Sequence, residues 1–68
     1  MTPEQIAQAK MEDTQVIRDV LTQRREPLTL ENALLVYSVG KRNRPEAWLL
    51  TADELPEYWQ KVTEVINA

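Results

Sequence analysis

The chain contains neither cysteine nor histidine, so its fold has to be held together without disulfide bonds and without the usual zinc ligands. With 68 residues it forms at most one domain, residues 1–68. A domain of this size buries only about 60% of the surface of its unfolded chain. We therefore expect a single small domain that relies either on well-packed helices or on association, a homodimer being one form of the latter.

The same composition argues against an enzyme. Ser38 is the only serine, and the absence of cysteine and histidine removes most of the side chains that enzymes commonly use as nucleophile or general base. The acidic residues Asp53, Glu54 and Glu57 lack the glycine-centred spacing of a calcium loop, and acids at a helix start explain them. We expect no catalytic residue, no metal site, no cofactor and no small-molecule substrate.

The chain shows no membrane signal. Its longest apolar run, residues 33–37, is far too short to span a bilayer. The first residues lack the basic and apolar regions of a signal peptide. Cytoplasmic location is therefore the default expectation.

The N-terminal third carries the pattern of a long helix. Thr2 is a capping residue, Pro3 suits the first helical position, and Gln5 stands where a capping box requires it. No glycine or proline follows until Pro27, and apolar residues recur at helical spacing with Asp13 as a break in the stripe. The pattern predicts a helix over residues 3–25.

A second helix is predicted from Thr29, a capping residue, to Gly40, which suits the position just after a helix end. Apolar residues lie on all its sides: Leu30, Ala33, Leu34 and Tyr37 on one face, with Leu35, Val36 and Val39 on the others. A helix that is apolar nearly all round is expected to be buried nearly all round. In so small a protein it is either central or shared with another subunit.

An alternative is open for the same region. Residues 34–39 and 46–51 are short apolar runs that flank a loop, and they suit a β-hairpin. The resulting order of helix, hairpin and helix resembles that of small phage head-to-tail connector proteins. The cap at Thr29 and the helical spacing favour a mainly α fold, a compact bundle of three to four short helices, over this α+β arrangement.

The C-terminal third predicts one short element and one amphipathic helix. Pro45 and Glu46 suit the start of a short helix. The residues from Thr51 to Glu54 match a capping box, so a helix is predicted over residues 52–66. Its apolar stripe consists of Leu55, Trp59, Val62 and Ile66.

Charge is unevenly distributed along the chain. The net charge is −3, but residues 24–45 carry five basic and two acidic groups. Lys41, Arg42 and Arg44 form a basic cluster suited to an acidic partner, while Arg24 and Arg25 are expected at the opposite end of an antiparallel helix pair. Nucleic-acid binding by residues 41–44 is the alternative, although an acidic chain is a poor non-specific binder.

We therefore expect a small acidic protein that acts by protein–protein interaction. Candidate partner-binding residues are Lys41, Arg42 and Arg44 for orientation, Leu35 and Val39 for affinity, and Trp48 and Tyr58 as aromatic contacts. Trp59 is expected in the core. A regulator or inhibitor that docks on a larger protein or on itself fits this size, as does a phage-type accessory protein.

Overall fold

Three α-helices and one short 3₁₀ helix make up the described chain. The computed structural model describes the backbone of residues 1–67 and the side chains of residues 1–64. The helices are α1 (Pro3–Gln23), α2 (Leu30–Asn43) and α3 (Leu55–Asn67), with the 3₁₀ helix at Pro45–Ala47. The described residues contain no strand, so the mainly α bundle is confirmed. The hairpin alternative at residues 34–39 and 46–51 is wrong, and with it the resemblance to phage connectors in element order.

Helix α1 begins as its sequence predicts and ends earlier. Thr2 and Gln5 form a complete capping box, and Pro3 occupies the first turn. The helix ends at Gln23, two residues before the predicted end, because the chain turns into a left-handed conformation at Arg25 with φ of 57°. There the N–H of Glu26 donates to the carbonyl of Leu21 over 3.0 Å, which is the Schellman pattern of a helix end.

Helix α2 extends beyond its predicted end. Thr29 caps it as expected, since the Thr29 hydroxyl accepts the N–H of Asn32. Gly40 does not end the helix: its φ is not positive, and α2 continues through Asn43. The glycine is explained by a tertiary contact with Trp48, which local pattern cannot reveal.

Helix α3 begins at Leu55, three residues after the predicted start. The capping box at Thr51 and Glu54 is incomplete: the Thr51 hydroxyl donates to the Glu54 carboxylate and accepts no backbone N–H. The Glu54 carboxylate also accepts a 2.6 Å bond from Lys10 Nζ on α1. The acid therefore joins two elements. Ile66, predicted in the apolar stripe of this helix, lies outside the described side chains.

The three helices pack with α1 in contact with both others. Lys10 reaches Glu54 and Arg18 reaches the carbonyl of Val62, so α3 runs parallel to α1. The six-residue connection 24–29 returns α2 antiparallel to α1. The core consists of the buried residues Ile17, Leu21, Ala33, Tyr37, Leu50, Leu55, Trp59 and Val62. No helix in the described part of the chain combines the length and apolarity needed to cross a membrane.

The expectation that α2 is buried nearly all round fails within the single chain. Ala33 and Tyr37 are buried, but Leu35 is 62% exposed and Val39 is 56% exposed. The bundle covers one side of α2 only, because just two other helices are available to pack against it. This exposed apolar surface of α2 forms part of the candidate functional site.

Candidate protein-interaction surface

An apolar groove of about 380 Å³ runs between α1 and α2. Its walls are Val16 and Val20 from α1 and Leu35, Val36 and Val39 from α2. Val16 is 50% exposed, so both walls of the groove present apolar side chains to solvent. We call this feature the α1–α2 groove. Contiguous exposed apolar surface of this kind marks interaction sites more often than isolated exposed residues do.

Trp48 and Gly40 close one end of the groove. A Cβ on Gly40 would lie 2.6 Å from Trp48 Cζ2, so only glycine allows the indole to lie directly on the helix backbone. The indole also meets the Tyr37 ring edge to face, with centroids 5.8 Å apart. Trp48 is thus held in place and half-buried before any partner binds.

The segment that carries Trp48 is tied to both α1 and α2. The Asp13 carboxylate accepts the backbone N–H groups of Leu49 and Leu50 over 2.9 and 3.1 Å. The Tyr37 hydroxyl donates to the Leu50 carbonyl over 2.9 Å. A tyrosine hydroxyl is protonated at neutral pH, and burial raises the pKa of Tyr37 further, so this donor is retained into alkaline pH. These three bonds fix the end of the groove at which Trp48 lies.

Lys41 also binds the segment that carries Trp48. Its Nζ donates to the carbonyls of Pro45 and Trp48 over 3.2 and 3.3 Å. Of the basic cluster predicted for partner contact, this cation is therefore engaged within the chain. Arg42 and Arg44 are exposed, and the described side chains offer neither of them an ion-pair partner.

The structure brings together some of the predicted site residues. Leu35, Val39 and Trp48 all line the α1–α2 groove. Tyr58 does not: it lies on α3, half-buried against the core, with Lys61 Nζ 5.1 Å from its ring centroid. The predicted partner-binding residues therefore belong to two separate surfaces.

The groove also contains residues that sequence reasoning missed. Val16 and Val20 supply the α1 wall, and their spacing of four within the apolar stripe was the available signal. At the end near the connection between α1 and α2, a polar rim is formed by Arg24, Glu26 and Asn32. Arg24 and Glu26 carry opposite charges, so this rim is close to neutral.

Two groups with shifted pKa values lie away from the groove. The ion pair between Lys10 and Glu54 raises the pKa of Lys10, and the hydrogen bonds from Lys10 and Thr51 lower the pKa of Glu54. Both changes favour the charged pair, which joins α1 to the turn before α3. Their position makes them structural links rather than parts of the groove.

The chemistry of the groove is that of a binding surface. Its walls offer methyl groups and an indole, with charged groups only at the end near the connection between α1 and α2. Within residues 1–64 no three acidic side chains come together in the manner of a metal site. Comparison with protein-family models, with curated proteins and with solved structures finds no match for this chain.

Proposed function

We propose that this chain is a non-enzymatic protein-interaction module whose docking surface is the α1–α2 groove. The observation that carries the proposal is the exposure of Val16, Leu35 and Val39 on facing helices beside a fixed indole. A domain of this size buries a smaller fraction of its surface than a large one does, and here the apolar side chains of the groove stay open to solvent. Covering the surface with a partner removes it from water.

Magnitudes indicate what the partner has to supply. Fully burying a valine or leucine contributes about 1.5 to 3 kcal/mol, so completing the burial of these three half-exposed side chains contributes about 2.5 to 5 kcal/mol. Association costs at least about 4 kcal/mol in lost translational and rotational freedom. The groove therefore needs a partner that brings apolar surface of its own and favourable charge contacts.

The shape of the groove favours a helical partner. Two helices that flank a shallow apolar channel accept the apolar face of a third helix, with anchors at helical spacing. Arg42 lies on the same face of α2 as Leu35 and Val39, because residues 35, 39 and 42 follow steps of four and three. Its guanidinium orients a partner that carries an acidic residue beside its apolar stripe. A regulator or inhibitor that covers a helix of a larger protein acts in this way.

Site-specific photo-crosslinking in the native cell tests the proposal. A benzophenone amino acid at position 35 is expected to yield a discrete protein adduct. The same amino acid at Gln60, which is exposed on α3 and does not line the groove, is the matched control. No adduct from position 35, or the same adducts from both positions, contradicts the proposal.

Nucleic-acid binding by residues 41–44 is the alternative, and it has less support. Lys41 is engaged with two backbone carbonyls, which leaves Arg42 and Arg44 as the exposed cations of that loop. A titration with duplex DNA at increasing salt separates the two functions, since phosphate contacts give a steep salt dependence. We expect no binding at low salt; binding that Arg42→Glu weakens and that salt abolishes favours the alternative.

A further inference from the structure

We propose that the occupant of the α1–α2 groove is a second copy of this chain, packed with its α2 antiparallel to the first α2 around a two-fold axis. The inference rests on the proposed function, since it names the partner of the same groove. It is carried by the order of apolar and charged residues on the exposed face of α2. The dimer that it describes is isologous, so each copy offers the same surface to the other.

The exposed face of α2 is self-complementary when reversed. Glu31, Leu35, Val39 and Arg42 follow one another at steps of four, four and three, so they share one side of the helix. A two-fold axis near position 37 places Leu35 against Val39 of the partner subunit. The same axis places Glu31 against Arg42 of the partner subunit, and the symmetry repeats both contacts.

The charges select this orientation. In a parallel pairing each Glu31 would face Glu31 of the partner subunit and each Arg42 would face Arg42, which is repulsive at both ends. In the antiparallel pairing both ends are attractive. Glu31 and Arg42 are exposed, and the described side chains contain no ion-pair partner for either of them. Their charges are therefore available for contacts between copies.

A second copy also supplies the apolar surface that the groove needs from its partner. A second copy brings its own Val16, Leu35 and Val39, so dimer formation doubles the exposed apolar side chains that become buried. This raises the hydrophobic contribution above that available from a polar partner surface. Leu35 of the partner subunit then enters the channel lined by Val16, Val20 and Val39.

The charge arrangement gives a sharp experiment. Glu31→Arg places two positive groups at each end of the homodimer, and Arg42→Glu places two negative groups there. Mixed together, the two variants form a heterodimer in which every pair is again opposite in charge. The attraction of Glu31 to the start of α2 and of Arg42 to its end does not depend on a second chain, so a purely intramolecular role predicts no recovery on mixing.

Sedimentation equilibrium of the purified full chain over the micromolar range measures the outcome. We expect a wild-type dimer, a dissociation constant raised about tenfold in each single variant, and recovery of association in the equimolar mixture. Leu35→Glu is expected to abolish the dimer; Leu34→Glu, on the same helix but not lining the groove, is its control. Circular dichroism shows that each variant retains its helices.

The outcomes separate this inference from the proposed function. A wild-type chain that stays monomeric throughout the range overturns the dimer, as does a dimer that both single charge variants form as tightly as wild type or that mixing fails to restore. If the chain is monomeric and position 35 crosslinks to a different protein, the interaction module stands and only its occupant is wrong. If position 35 yields no adduct, both proposals fail.

Discussion

At the scale of single residues, Gly40 is the position where local preference and tertiary packing conflict. A glycine inside a helix is less favourable than alanine by about 1 kcal/mol. Here the Trp48 indole occupies the space that a Cβ would need, with Cζ2 at 2.6 Å and Cε2 at 2.9 Å. Overpacking of this kind costs about 1 to 3 kcal/mol, so the tertiary contact outweighs helix propensity.

Gly40→Ala is therefore expected to lower the free energy of unfolding by about 1 kcal/mol, the difference between the packing cost and the gain in helix propensity. Urea unfolding followed by circular dichroism measures it. The control is the same substitution in a Trp48→Ala chain. Without the indole it is expected to raise stability, and an equal loss in both backgrounds contradicts the assignment of the cost to the indole.

Arg25 is a second residue at which the fold overrides a local preference, since its backbone adopts a conformation that residues with a Cβ disfavour. Its φ of 57° places a residue with a Cβ in the left-handed region, at the position after a helix where glycine is usual. The left-handed conformation costs about 1 to 2 kcal/mol for a residue with a Cβ. Glycine avoids this cost, but it loses more conformational entropy on folding, which offsets part of the gain. Arg25→Gly is expected to raise the free energy of unfolding by about 0.5 to 1 kcal/mol.

Chemical unfolding of Arg25→Gly beside Arg24→Gly checks this expectation. Arg24 has right-handed helical dihedral angles, so glycine there is expected to destabilise. A stabilisation at position 24, or a loss at position 25, would show that the left-handed strain is not what limits this turn.

At the scale of elements, the ion pair between Lys10 and Glu54 links α1 to the turn that leads into α3. The pKa of Glu54 is lowered in the folded chain, so its contribution to stability is present above its ordinary value of 4.5 and is lost as the pH falls through the lowered value. The pKa of Lys10 is raised, so its contribution is present below 10.5 and is lost at more alkaline pH.

The pair is thus expected to stabilise the fold fully between about pH 4.5 and pH 10.5, and to lose its contribution progressively as the pH falls through the lowered pKa of Glu54 or rises through the raised pKa of Lys10. Unfolding of wild type and of Lys10→Met/Glu54→Gln across acid pH measures the contribution. The wild type is expected to lose more stability than the double variant between neutral pH and pH 3, where the carboxylate takes up its proton. Parallel losses in the two chains argue against the link.

The elements differ in how far their sequences reveal them. Thr2 and Thr29 correctly predict the starts of α1 and α2, because capping is a local interaction between residues three positions apart. The predicted cap at Thr51 is not complete. The Glu54 carboxylate accepts bonds from the Thr51 hydroxyl and from Lys10, and Lys10 is distant in sequence. Gly40 was predicted to end α2 because glycine is common after a helix. It is explained instead by the contact with Trp48, which is not a local interaction.

The candidate site follows the same division. Leu35 and Val39 were proposed as partner contacts from the sequence of α2 alone, because a helix that is apolar nearly all round has to be covered either within the chain or by another subunit. Val16 belongs to the apolar stripe of α1, and only the packing of α1 against α2 places it in the same groove as Leu35. Asp13 appeared as a flaw in that stripe, whereas its carboxylate binds the backbone of residues 49 and 50.

At the scale of the whole molecule, each of the three α-helices packs against the other two. Helix α1 contacts α2 and α3, while the outer side of α2 remains open. Three helices of this length cannot enclose a second layer, which leaves apolar surface at the α1–α2 groove. On the dimer proposal, the missing layer comes from another copy of the same chain.

Stability of such a dimer depends on concentration, because association favours only the folded chain. For a domain of this size the midpoint of thermal unfolding is expected to rise by about 5 °C per tenfold increase in concentration. Leu35→Glu is expected to remove the dependence and Leu34→Glu to retain it. Calorimetry at several concentrations measures the midpoints, and a wild-type midpoint that does not move contradicts association.

The different surroundings of the two tryptophans provide an optical readout of groove occupancy. Trp59 is only 5% exposed in the core, whereas Trp48 is half-buried where the channel ends. In a Trp59→Phe chain all indole fluorescence arises from Trp48. Its emission is expected to shift to shorter wavelength, and its quenching by acrylamide to weaken, whenever the channel is covered. An unlabelled sample thus reports binding of any occupant.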